Sequence, residues 1–531
     1  MKRLFALAIA LCLVGCASGP RFRDQPIVWR VHDDRPIPRP EKSEYLKVSY
    51  FADIFALRRL TRTLELRDLE TAHDINALGE VPDSSWFTNR IGVRDLTPQQ
   101  AARGPVREGP PVAPFTITRG KGGSGGNPGF FISDATDRTF LVKFDTRDNP
   151  EMQTAASVIV NRVLWTGGYH VPEDTLFTFS ADQLRLAPDA LTEDRLGTDI
   201  PLTWGLVREV LATSPRTVGG AYRASASLFL EGTPVGGFTP EGVRADDPND
   251  RIPHEHRRSL RGLRVFAAWL GHTDMKMDNT LDMYVEHDGG GHLIHYLLDF
   301  GEALGSHQAE KRRLEDGFEH LWDWEDNTRA ALALGLWKRT WEDQRQTPWP
   351  AIGAFGAEHF DPRQWKEAYP YWPFAEMDPL DAFWAAKLVM RFSPPMLEAI
   401  VAEGQLSNPD AARYLVDALI ERRDRIGRAY LEALSPLDGF RIRDGELCMV
   451  DLAMHHGLAA KGIVERSDRS GEVWQSVTLS ARGRGCLTVA QERGYRVARL
   501  RVRRGAELRP AVDVHFRAGP EARVLGVVRA H

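Results

Sequence analysis

Between Pro114 and Phe144, apolar and polar residues trade places in short runs, the signature of half-buried strands. Phe115–Thr118, Gly129–Ile132 and Thr139–Phe144 predict three strands. A glycine cluster over Gly120–Gly129 separates the first two, and a turn at Asp134–Asp137 separates the last two. The period then lengthens. Ala156, Ile159, Val163 and Leu164 share a helical face, Asp148-Asn149-Pro150-Glu151 reads as its capping box, and Gly167-Gly168 stops it. Residues 170–236 alternate strand-like runs with turns and end in apolar Ala224–Leu230 and a candidate hinge at Glu231–Pro234. After a charged loop over 243–253, Leu260, Leu263, Phe266 and Trp269-Leu270 mark His256–Leu270 as an amphipathic helix. A strand is expected over Leu293–Leu298. From about 308 to 435 the chain reads as mostly helical and rich in tryptophan, most clearly over Leu380–Met390. Beyond Pro436, Arg499–Arg503 and Val512–Phe516 alternate between glycine turns, which predicts a small antiparallel β domain of sandwich type.

The first residues follow a different logic. Met1-Lys2-Arg3 is a short basic start, and the apolar run Leu4–Val14 is too short for a permanent span but fits a signal-peptide core. Leu13-Val14-Gly15-Cys16 looks like a bacterial lipobox, with Cys16 as the lipidation site and Ala17, not aspartate, behind it. By resemblance to Gram-negative lipoproteins this implies the bacterial cell envelope, on the periplasmic face of the outer membrane. Residues 1–15 are then the signal peptide and 16–44 a Pro/Arg-rich tether. Residues 45–113 form an N-terminal extension, with helical spacing over Tyr45–Leu69 and Trp86 and Phe87 packed in a loop.

Composition narrows the class. With 531 residues the chain holds two or three domains, and 42% hydrophobic with 27% charged residues is ordinary for a globular protein. A net charge of -5 gives no nucleic-acid signal. From 437 onward, 16 Arg and one Lys face 11 acidic residues, a basic excess expected to be a solvated strand face. Cys448 and Cys486 both fall in this part, where they either pair in an oxidising compartment or stay as two thiols. His254-Glu255-His256 and His455-His456 lack zinc spacing and read as surface or loop residues.

The chemistry concentrates in His272-Thr273-Asp274-Met275-Lys276-Met277-Asp278-Asn279 and, after the expected strand, Asp299-Phe300-Gly301. This is H-x-D-x-K-x-x-N followed by D-F-G. Phosphoryl transfer needs an aspartate to take the hydroxyl proton, a lysine against the migrating phosphoryl group, and amide and carboxylate oxygens on a metal. Upstream, Lys143 ends an apolar strand, Glu151 opens a helix, and Gly120-Lys121-Gly122-Gly123-Ser124-Gly125 is a formal G-x-G-x-x-G.

Taken in order, these pieces resemble the protein-kinase-like superfamily over roughly residues 114–435. The resemblance is nearer the atypical HipA-like, spore-coat CotH-like and secretory-pathway kinases than eukaryotic protein kinases. It implies an α+β, bilobal protein-kinase-like fold, with a β-rich N-lobe over 114–233 and a helical C-lobe over 234–435, followed by the all-β domain over 436–531. It implies ATP with Mg2+ or Mn2+. Asp274 and Lys276 would be catalytic, Asn279 and Asp299 would hold metal, and Lys143 would bind phosphates. Glu151, or else Gln153, would pair with Lys143, and Gly120, Gly122 and Gly125 would cradle phosphates. Thr273 replaces an arginine that serves loop phosphorylation in many kinases, and no A-P-E segment follows Gly301, so the acceptor is open. Lys276 leans towards a protein acceptor, such as an envelope protein. The alternatives are AMP transfer on the same fold and a non-catalytic scaffold lipoprotein. The envelope address also leaves the phosphate donor open, because ATP is not expected there in quantity.

Overall fold

The computed structural model describes residues 21–43, 47–58, 61, 70–122, 127–194, 197–287, 289–307, 310–334, 336–468 and 470–530. Cys16 and the signal segment lie outside these residues, as does Gly125. The chain is a mixed α+β protein of two compact units. One comprises Trp29–Asp74 and Val81–Leu431. The other comprises Met1–Val28, Ile75–Glu80 and Glu432–His531.

In the larger unit, seven strands form one sheet: β1 (Phe115–Gly120), β2 (Gly129–Ser133), β3 (Thr139–Lys143), β4 (Asp174–Phe179), β5 (Leu184–Glu193), β6 (Asp199–Pro201) and β7 (Tyr222–Leu228). Their spatial order is β4-β7-β3-β2-β1-β5-β6. Only the β1–β5 pairing is parallel. Alternation decides the faces. Phe130, Phe140 and Val142 join Ile117, Phe144 and Tyr222 in the core on one face, and Lys143 is sent to the other.

Helix α1 (Met152–Gly167) is buried on nearly every side rather than along one stripe. Its N-terminus departs from the expected capping box. Glu151 stands at the cap with φ 67° and no side-chain bond to the helix. Asp145, directly after β3, caps instead: its carboxylate accepts from the backbone N–H of Glu151 (3.1 Å), Gln153 (2.8 Å) and Thr154 (3.0 Å). A buried aspartate satisfies three orphan amides at once, which the exposed Asp148 cannot.

After α2 (Trp204–Thr213) comes α3 (Arg258–Leu270), expected as amphipathic but buried almost throughout. Two of its three arginines face inward. Arg258 donates to Asp381 at 2.8 Å and Arg261 reaches the same carboxylate at 3.4 Å. Asp381 belongs to α4 (Pro379–Val389), which is followed by α5 (Pro394–Ala402) and α6 (Pro409–Tyr430). The stretch 308–371 contradicts the helical expectation: apart from the two-residue strand Glu310–Lys311, which pairs with Ser306–His307, the helix Trp324–Leu332 and a short turn at Thr340–Asp343, its described residues are irregular. Tryptophan content carries no helical period: Trp365 is buried, while Trp322 and Trp324 are exposed. The hinge expected at Glu231–Pro234 carries the short strand β8 (Thr233–Pro234), which pairs with β9 (Thr280–His287), itself paired with β10 (Gly290–Leu297). His254 is not a surface histidine but is buried, 2.8 Å from Asp250.

The tether is not free either. Ile37 is buried with Val235, Tyr284 and Leu293, and its N–H donates to Gly291 O at 2.8 Å. Side-chain burial and edge pairing anchor a segment whose prolines suggest only extension. Among the described residues no helix is long and apolar enough to cross a membrane.

The second unit is a β domain whose sheets, Leu437–Arg443 with Glu446–Asp451 and Arg484–Thr488, and Ile463–Ser467 with Val473–Thr478, Gly494–Arg504, Val512–Ala518 and Arg523–Arg529, enclose one apolar core. Cys448 and Cys486 face each other across adjacent strands and are disulfide-bonded. Much of the basic excess is paired within the unit, with Arg503 on Glu465, Arg499 on Asp513, and Arg466 on Glu492. Ile75–Glu80 joins this unit through Val527 N–H on Ala77 O, a long-range pairing no local pattern announces.

Candidate active site

Helix α3 delivers the loop. Gly271 ends it in the left-handed region (φ 62°), and the His272 N–H folds back onto Ala267 O at 2.9 Å. The β9–β10 hairpin then does the assembly. Thr280, the first residue of β9, pairs with Leu297, the last of β10, and Leu298 N–H donates to Asn279 O at 2.9 Å. The hairpin therefore returns the chain to its start, and Asp299 emerges beside Asn279 although twenty residues separate them.

Asp274, Lys276 and Asn279 form one network. Lys276 Nζ donates to Asp274 Oδ1 at 2.7 Å. Asn279 Nδ2 donates to Asp274 O at 2.7 Å and to its Oδ2 at 2.8 Å. The carboxylate is thus held in one orientation, and the Asn279 amide oxygen is turned away from it. Burial works against the Lys276 charge, but Asp274 outweighs it and raises the pKa, so the lysine stays an ammonium. The Tyr369 ring lies 5.1 Å below that ammonium, and Tyr50 OH accepts the Met277 N–H at 3.4 Å. Neither tyrosine was legible as part of the site. They come from remote segments and share no motif with it.

Lys143 Nζ lies 2.8 Å from Asp299 Oδ1. Asp299 has φ 57°, a left-handed conformation that costs a residue other than glycine some strain. Its side chain is 44% exposed, yet protein atoms crowd round it. Desolvation raises its carboxyl, and the charge and hydrogen bond of Lys143, with Lys121 and Lys276 further off, override this and hold it at about 2. Phe300 is buried with its ring 6.1 Å from that of His272, and Leu304 N–H returns to Leu270 O at 2.9 Å, which straps the D-F-G segment to the end of α3.

The structure therefore brings Asp274, Lys276, Asn279, Asp299 and Lys143 together. It does not bring Glu151 to Lys143: the Glu151 carboxylate accepts Ser407 N–H at 2.8 Å. Gln153 lies on α1 beside Gly301, with its buried amide nitrogen lacking a partner among the described residues. Gly120 and Gly122 are used for packing. A Cβ at Gly120 would run into Thr192, and one at Gly122 would stand 3.1 Å from Glu193 Cβ. The residue between them, Lys121, carries no motif signal of its own. It lies near Lys143 and Asp299, and the signal that could have found it was the strand alternation that opposes it to Gly120.

No family model matches the chain, and no curated protein matches it. Among solved structures it is similar to a crystal structure of the Golgi casein kinase with Mn/ADP bound, with 11% identity and a TM-score of 0.27 over 62% of this chain and 72% of that one. A second Golgi casein kinase structure aligns at 10% identity and a TM-score of 0.24, over 63% of this chain and 76% of that one. These alignments are loose, and the site stands on its own geometry.

Proposed function

We propose that this chain is a kinase-type phosphotransferase that moves the γ-phosphoryl group of a nucleotide to a hydroxyl, with a protein as the acceptor. The observation that carries this reading is the meeting of Asp274, Lys276 and Asn279 with Lys143 and Asp299, five residues from three segments, around one open carboxylate. Asp299 and the Asn279 amide oxygen are hard oxygen donors, which fits Mg2+ or Mn2+. When bound, the ion would neutralise phosphate charge.

The chain's own residues do the rest. Lys143 holds the phosphate chain from the sheet. Asp274, oriented by Lys276 and Asn279, receives the acceptor's hydroxyl proton as its oxygen bonds to the γ-phosphorus and the bond to the β-phosphate oxygen breaks. Lys276 stands beside Asp274 to meet charge on the transferring group. Positioning and charge neutralisation supply most of such catalysis.

The test uses the full-length chain. Saturating Mg-ATP is expected to raise its melting temperature, and no shift would sink the nucleotide reading. Transfer of label from γ-labelled ATP to protein is expected; transfer from α-labelled ATP instead would mean AMP transfer on the same site. Asp299→Ala is expected to fold and lose transfer. The lipobox motif adds an address to this proposal: a lipid-anchored enzyme of the bacterial envelope. Incorporation of labelled palmitate, abolished in Cys16→Ser, tests it.

A further inference from the structure

Three neighbouring strands place two lysines astride one glycine. Gly129 pairs with Lys143 in the β2–β3 register, and on its other side Lys121 N–H donates to Gly129 O at 3.2 Å. Residues in one cross-strand row point to the same face, so Lys121, Gly129 and Lys143 share the face opposite the Phe130–Val142 core. Gly129 is what lets the lysines approach. A Cβ there would run into the Val142 carbonyl and lie 3.2 Å from Lys121 Cδ. Among the described residues, Lys121 Nζ is held by one hydrogen bond, to Asn127 O at 2.9 Å, with no carboxylate partner. The nearby acidic groups are Asp299, taken by Lys143, and Glu302. Burial next to Lys143 lowers the Lys121 pKa to about 8, an environment that favours a further anion.

We propose that Lys121 and Lys143 form a two-lysine clamp over Gly129 that grips the phosphate chain of the donor nucleotide. The clamp rests on the nucleotide reading above. It takes the part that the glycine backbone was expected to play: Gly120 and Gly122 pack against β5, and the lysine between them faces the site. Lys121 is in this sense a donor-binding residue selective for charge along the phosphate chain.

The experiment measures binding of Mg-ATP, Mg-ADP and adenosine to the full-length chain by calorimetry, in the wild type, Lys121→Met and Lys121→Arg. Lys121→Met is expected to weaken Mg-ATP on the order of tenfold or more and adenosine hardly at all, with Lys121→Arg restoring most of the loss. Equal weakening of all three ligands would mean a structural role and overturn the clamp. So would Mg-ATP binding unchanged in Lys121→Met. A wild type that binds none of the three would instead overturn the nucleotide reading, and the clamp with it.

Discussion

At the scale of single residues, the site stores unfavourable charge. Lys121 is desolvated beside Lys143, and its folded pKa of about 8 lies below the ordinary value of a lysine. The unfolded chain then binds more protons through the interval above 8, so this group destabilises the fold below pH 8 and the penalty fades as pH rises towards 10. Lys121→Met is therefore expected to raise the melting temperature of the nucleotide-free protein at pH 7 by roughly a degree or two. The gain shrinks on alkaline titration. A melting temperature that falls at pH 7 contradicts the strain. Asp299 runs the other way. Its carboxyl is depressed to about 2, so its contribution is complete above the unfolded value near 4 and is lost as pH falls through 2. Asp299→Asn is expected to flatten the acid limb of stability between pH 4 and 2, as read from urea midpoints. Asp274, Lys276, Asn279 and Asp299 stand out in the sequence because their spacing is a motif. Lys121 does not, because its meaning lies in which side of the sheet the residue following β1 faces, and that depends on the pairing with Gly129.

At the scale of elements, the site depends on how helices and strands present it. Helix α3 leads into the loop that carries Asp274, Lys276 and Asn279, and its buried Arg258 and Arg261 both lean on Asp381 of α4. Asp381→Ala would leave two guanidinium groups buried without that carboxylate, a loss of about 3–5 kcal/mol in unfolding free energy. Chemical denaturation measures it directly, and a change under about 1 kcal/mol would show the pairing to be dispensable. Gly129→Ala is the sharper test of the sheet. The added methyl cannot fit beside the Val142 carbonyl without parting β2 from β3, so Mg-ATP affinity is expected to fall even where the protein remains folded. The strands of the sheet were legible from alternation, and α1 from its spacing. Its cap differs from the capping box the sequence predicts, because Asp145 is chosen over Asp148 by burial that only the assembled helix and sheet create.

At the scale of the whole molecule, two compact units divide the chain, and one is crossed by a disulfide. Cys448 and Cys486 are 38 residues apart, so their bond removes loop entropy from the unfolded β unit worth about 2–4 kcal/mol. Reduction, or Cys448→Ala with Cys486→Ala, is expected to lower the stability of that unit by this order while Mg-ATP binding by the other unit is kept. A reduced protein that lost nucleotide binding in step would show that the two units do not act independently. The change of period near residue 436 is a property of the sequence, and the two units part at Leu431–Glu432. The return of Ile75–Glu80 to the C-terminal unit has no such local signal. The sequence by itself determined where the strands alternate and where the motif residues cluster, because period and motif are properties of neighbours along the chain. Only the tertiary structure decided that Asp299 would lie beside Asn279, that Glu151 would turn to Ser407, and that Lys121 would share a face with Lys143. These follow from hairpin register and burial, which form between segments that carry no local record of one another.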